Sequence, residues 1–216
     1  MINFKAYAQS MGRKAIRIAL AAEEVAQETG VEIIVVPNAV DLVKVKEAVG
    51  VPVFAQHVDA VHPGAHTGSI LPEMLKEWGI DGTLINHSEH QVTLPELEYT
   101  IARSQELGLD VIACATDERI ADAIADLRPT AVAVEPPELI GGNVSVSTAR
   151  PEVIERAVAL VQACSSVPVL VGAGVKTAED VRKAIELGAS GVLVASGVVK
   201  AKDPKKAIEE LAKGIP

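Results

Sequence analysis

Aromatic side chains are scarce in this chain of 216 residues: two Phe, two Tyr and one Trp, or 2%. Because 49% of the residues are nonetheless hydrophobic, the interior has to be filled by Val, Ile, Leu and Ala, a composition suited to parallel strands buried on both faces. Basic residues are also in deficit. The 20 Lys and Arg face 29 Asp and Glu, for a net charge of −9 at pH 7. That balance argues against nucleic acid as a partner, which needs clustered cationic charge and usually stacking aromatics. An anionic substrate would have to be held by a local positive field. Cysteine is nearly missing, and Cys114 and Cys164 sit in apolar or helical stretches. With no signal peptide ahead of the first motif, a reduced, cytoplasmic compartment is expected. No apolar run approaches the ~18 residues of a membrane span, so no membrane role is expected either.

What the chain does have is alternation. Short runs rich in β-branched residues recur between longer stretches with helical spacing. Strands are predicted over 2–6, 32–36, 51–56, 82–86, 110–114, 130–134, 167–171 and 191–194. Helices are predicted over 13–29, 40–49, 70–78, 95–107, 117–126, 151–164, 178–187 and 204–213. Gly30, Gly79, Gly108 and Gly188 stand where helices should end in a left-handed cap, and Thr177 with Asp180 forms an N-terminal capping pattern. Pro95, Pro151 and Pro204 lie where helices should start. Eight βα units share the 216 residues at about 27 each, which fits a closed α/β barrel, a (β/α)8 fold, as one domain over 1–216. An open doubly wound sheet should carry a Gly-rich fingerprint after its first strand, and Asn3-Phe4-Lys5-Ala6-Tyr7 has none.

In such a barrel the chemistry sits where the strands end. Asn3 and Lys5 alternate with Ile2 and Phe4 and so are expected on one face of the first strand. The fourth strand ends in Asn86-His87-Ser88-Glu89-His90, and a helical turn is expected to start at Ser88. The sixth ends in Glu135 after a wholly apolar run, where a carboxylate is costly without a purpose or a partner. The seventh and eighth end in Gly172-Ala173-Gly174 and Ala195-Ser196-Gly197, small-residue turns whose backbone N–H groups suit a phosphate. A carboxylate, an imidazole and an ammonium are what an aldose–ketose isomerisation needs: a base for a carbon-bound proton, a group to polarise the carbonyl, and a charge to stabilise the enediolate. Two other classes stay open. A Schiff-base aldolase would need a buried lysine deep in the mouth, where the sixth strand offers Glu135. A catalytically silent barrel could serve as a binding module, against which the intact set of polar groups counts.

These pieces, in this order and spacing, resemble the triosephosphate isomerase family, from Asn3 to about Lys202. The length and the segment Pro136-Pro137-Glu138-Leu139-Ile140-Gly141-Gly142 are similar to its compact archaeal branch. The resemblance implies that His87 is the electrophile, Glu135 the proton acceptor and Lys5 the electrostatic stabiliser, without metal or organic cofactor. It implies substrate contacts from Asn3 and Lys5, a phosphate end lined by Ile140, Gly174, Ala195 and Ser196, and a lid over Pro136–Gly142. Departures from the family pattern are Gly-Ala-Gly for Gly-Gly-Ser in the seventh turn, Ala-Ser for Gly-Gly in the eighth, and His90 for an Arg. His57, His62 and His66 could suggest a metal, but Pro63-Gly64 breaks any helix that would align them. The stretch Gly64–Gly68 instead resembles the family's interdigitating loop, which implies a homo-oligomer, dimer or tetramer.

Overall fold

The computed structural model describes residues 1–136 and 145–216. Eight strands run parallel in chain order: β1 (Ile2–Asn3), β2 (Val35–Val36), β3 (Phe54–Ala55), β4 (Gly82–Ile85), β5 (Asp110–Ala115), β6 (Ala131–Val134), β7 (Val169–Val171) and β8 (Gly191–Val192). Strands β3 to β8 form one continuous sheet, while β1 and β2 pair with each other. Two isolated bridges join the pieces into a ring, Ile2 with Val194 and Val35 with Val53. At the first seam the Asn3 N–H donates to the Val194 carbonyl at 2.7 Å and the Val194 N–H to the Met1 carbonyl at 3.0 Å. The expected closed barrel is therefore present.

The strand-lining helices follow from the amphipathic stretches. They are α1 (Arg13–Thr29), α2 (Leu42–Lys46), α3 (Pro72–Glu77), α4 (Leu94–Glu106), α5 (Glu118–Ala125), α7 (Pro151–Cys164), α8 (Ala178–Glu186) and α10 (Pro204–Ala212). Two short helices that the periodicity did not signal, α6 (Val146–Ala149) and α9 (Ser196–Val199), stand between them. Gly30, Gly79, Gly108 and Gly188 all have positive φ, as left-handed caps require. Thr177 and Asp180 form the reciprocal cap, and Thr93 with Glu96 forms a second. Inside the ring lie Val36, Phe54, Leu84, Ile112, Cys114, Ala131, Ala133 and Leu193. Two larger apolar layers, without which none of these short strands could persist, fill the space between strands and helices. No helix among the described residues is long and apolar enough to cross a membrane.

Three expectations need correction. Regular pairing covers only two residues in β1, β2, β3 and β8; of the spans predicted over 32–36 and 51–56 it is chiefly the first residues that stay outside it, and of 191–194 the last two. Lys5 does not continue the alternation of β1: its φ is 48°, and its N–H donates to Asn3 Oδ1 at 3.0 Å. No helix starts at Ser88. Residues 87–90 make a single turn closed by the His90 N–H on the His87 carbonyl at 2.7 Å, and α4 begins only at Leu94. Of the expected lid, Pro136 is buried, while residues 137–142, Ile140 included, lie outside the described residues.

Candidate active site

Glu135 continues the inward face of β6 after Ala131 and Ala133, so the two-residue period carries its side chain into the barrel mouth. His87 gets there differently. The same period would turn it outward with Ile85, but Asn86 takes a left-handed conformation, φ 59°, which re-aims the following residue. The result is a close approach: His87 Nε2 lies 3.2 Å from Glu135 Oε2, with side chains 7% and 8% exposed. The two atoms are not aligned for a hydrogen bond, and neither has another partner. Buried polar atoms without a partner are rare and costly, and these two lie side by side at the barrel mouth.

The tautomer of His87 is set by its other nitrogen. Nδ1 accepts the Glu89 N–H at 3.1 Å, so Nδ1 carries a lone pair and the ring proton belongs on Nε2. A backbone amide in the turn thus does what the expected helix N-terminus at Ser88 was to do. Lys5, with only 9% of its side chain exposed, brings its ammonium to the same mouth and pairs with Glu89 Oε1 at 2.9 Å. Asn3 is buried, and its Oδ1 accepts from the Lys5 N–H and, at 3.3 Å, from Gln56 Nε2. That commits the oxygen and leaves Nδ2 as the donor available to a ligand. The Cys114 thiol sits beneath Glu135. Burial pushes its pKa well above the ordinary range, and the Glu135 carboxylate pushes it further.

One cavity runs from Asn3, Lys5 and Glu135 to Gly174, Ala195 and Ser196. Its far end is a loop with two successive left-handed residues, Ala173 (φ 73°) and Gly174 (φ 74°), facing the start of α9 at Ser196. Small residues in a turn there leave room for an anion to reach the backbone N–H groups. The structure therefore brings Asn3, Lys5, Glu135, Gly174, Ala195 and Ser196 of the expected set to one cavity, with His87 beside it against Glu135. Three contributors escaped the sequence reading. Gln56 also donates to the carbonyls of Lys5 (3.2 Å) and Val36 (3.1 Å) and so ties β1, β2 and β3 together at the mouth. Tyr7 lines the cavity with the Lys200 ammonium 4.2 Å from its ring centre. Asn86 is the third. Gln56 and Asn86 were findable as polar residues at strand ends; Tyr7 had no distinguishing pattern. Among the described residues no cluster of His, Cys, Asp or Glu could hold a metal ion. His57 instead stacks on His90, with ring centres 3.9 Å apart, and His62 Nδ1 bonds the Tyr99 hydroxyl at 2.9 Å.

Against known sequences, the triosephosphate isomerase family model matches residues 1–212. The chain belongs to the triosephosphate isomerase family. Triosephosphate isomerases similar to it include that of Pyrobaculum arsenaticum, 50% identical over 99% of this chain and 96% of the relative. That of Methanocaldococcus jannaschii is 49% identical over 89% and 88%, and that of Sulfurisphaera tokodaii 45% over 89% and 84%. These triosephosphate isomerases are archaeal, as the compact lid segment implied.

Proposed function

We propose that Glu135, His87 and Lys5 carry the interconversion of dihydroxyacetone phosphate and D-glyceraldehyde 3-phosphate, the reaction of the triosephosphate isomerase family. Glu135, as carboxylate, removes a proton from the carbon next to the substrate carbonyl. His87, neutral and protonated on Nε2, donates to the carbonyl oxygen as it gains charge, which yields the enediolate. Lys5 offsets that charge, and Glu135 returns the proton to the neighbouring carbon. The phosphate lies against the backbone N–H groups around Gly174, Ala195 and Ser196, with Asn3 and Lys5 between it and the reacting carbons. The observation that carries the reading is the pair of facing, buried, otherwise unpartnered atoms His87 Nε2 and Glu135 Oε2.

The test is Glu135→Gln in an assay coupled to glyceraldehyde 3-phosphate consumption. Loss of only the proton acceptor is expected to lower turnover by about 10³-fold while a dianionic enediolate analogue still binds. Turnover within about tenfold of wild type would remove Glu135 from the role. We further propose that the protein is a homo-oligomer. Residues 62–68 stand exposed on a loop whose neck is pinched by Asp59 and Ile70: each N–H is bonded to the other residue, at 2.7 Å in both directions.

A further inference from the structure

Glu135 and Gly172 stand level on neighbouring strands. The pairs Ala133 with Leu170 and Val134 with Val171 lead one step further to these two residues, and the Gly172 N–H donates to the Val134 carbonyl at 3.0 Å. Nothing in the backbone demands glycine at 172, because its φ is not in the left-handed region. What demands it is the neighbour. A Cβ placed on residue 172 would run into Glu135 Oε1, and would lie 2.6 Å from Cγ and 2.7 Å from Cδ, where carbon atoms in contact need ~3.5–4.0 Å. Other crowded glycines differ in kind. At Gly82 the Cβ would meet the Asp110 carbonyl and the Phe54 ring, and at Gly214 the Ala178 carbonyl and Val181, which are backbone and core. At Gly172 all three nearest atoms belong to one side chain, and it is the one assigned to proton transfer.

The other sides of that side chain are occupied as well. Cys114 lies beneath it, and His87 Nε2 faces it at 3.2 Å. We infer that Gly172 is a positioning residue, its missing side chain forming the slot that fixes how far the Glu135 carboxylate reaches toward the reacting carbon. This rests on Glu135 as the base. A methyl group in the slot leaves the carboxylate one way to go, out toward the mouth, by about 1 Å, and a misplacement of that size costs about 10²-fold in rate. Asn3, Lys5, Ala195 and Ser196 stand on other elements, so substrate binding through them is expected to change little.

The experiment is a cycle of Gly172→Ala, Glu135→Ala and the double variant, read by turnover and by thermal unfolding. Gly172→Ala is expected to lower kcat about 10²-fold with KM within about threefold. It should lower the melting temperature in the parent but not in the Glu135→Ala background, where the obstructing atoms are gone. Should Gly172→Ala fail to fold, the double variant should still fold. The inference is overturned by a Gly172→Ala kcat within about threefold of the parent, by an equal loss of melting temperature in both backgrounds, or by a double variant that does not fold. Near-parental turnover by Glu135→Ala would overturn the base assignment itself, and with it this inference. An inactive Glu135→Ala beside a fully active Gly172→Ala would overturn the slot alone.

Discussion

The Asn86 side chain bridges the end of β4 to the end of β5, its Nδ2 donating to the Cys114 carbonyl at 3.0 Å while its Oδ1 accepts the Val92 N–H at 3.1 Å. Both bonds hold the loop that carries His87, and one of them is made to the residue on whose thiol Glu135 rests. Replacing Asn86 separates backbone from side chain. Asn86→Gly keeps the left-handed conformation and loses both bonds, so kcat should fall by at least about tenfold with a small change in KM, since loosening of this kind misplaces His87. Asn86→Ala adds left-handed strain of ~1–2 kcal/mol, so it should melt below Asn86→Gly. Steady-state kinetics and thermal melts of both variants decide it; two variants with parental kcat would detach Asn86 from His87.

Lys5 places a positive charge at the mouth in a protein of net charge −9. Its stem is buried and its partner Glu89 is half exposed, so a dianionic ligand can compete for it. A charge-assisted hydrogen bond contributes about 1.5–3 kcal/mol. Lys5→Ala should therefore weaken a dianionic inhibitor roughly ten- to a hundredfold, and the loss should shrink as salt rises. Titration calorimetry at low and high salt reads both effects. Unaltered affinity at low salt would end this role for Lys5.

His57 carries a pH signature. Burial lowers its pKa from 6.5, the stacked His90 lowers it further, and Asp59 and Glu96 partly oppose them. In the unfolded chain His57 takes up its proton near the ordinary value, whereas in the folded protein it does so only at lower pH. The unfolded state therefore binds more protons in that window, and stability rises with pH there. The contribution is complete above about pH 6.5 and fades as pH falls through the folded value. His57→Asn should reduce the difference in melting temperature between about pH 7.5 and about pH 5. An unchanged difference would assign the acid sensitivity elsewhere.

The protruding loop gives an assembly prediction. Light scattering at micromolar concentration should return at least twice the chain mass, and Ala65→Arg at the exposed tip should shift the population toward monomer with loss of activity. A fully active monomer in the parent protein would refute the assembly.

Most of the barrel was legible because its units repeat the same signals: a β-branched run, an amphipathic helix and, in four of the eight, a glycine cap at residue 30, 79, 108 or 188. Glu135 was legible for the same reason, as a carboxylate at the end of an apolar strand whose period aims it inward. What escaped is backbone conformation that departs from a period. Asn86 and Lys5, both marked by the sequence as polar residues at the mouth, adopt left-handed backbone at strand ends, which no alternation can reveal. The turn expected at Ser88 stays a single turn because its N–H groups are satisfied locally, through the His87 carbonyl and ring. The functional meaning of Gly172 lies in contact with a neighbouring strand, and sequence periodicity carries no information about that.

The ring is closed at β1 by one bridge to Val194 and at β2 by one bridge to Val53, so the first two strands are joined to the other six by narrow seams. Synthesis makes them first, and they are held least until the end. Asn3 and Lys5 leave the ribosome before any other site residue, yet Asn3 acquires its β8 partner only once Val194 has emerged, which makes this the pairing of longest loop closure in the molecule. During translation β3 to β7 can assemble while the amino-terminal pair waits for β8. Because the cavity spans this very seam, from Asn3 and Lys5 on one side to Ala195 and Ser196 on the other, a chain stalled before β8 holds Glu135 and His87 but lacks Ala195 and Ser196, and the proposed site is complete only with the last strand.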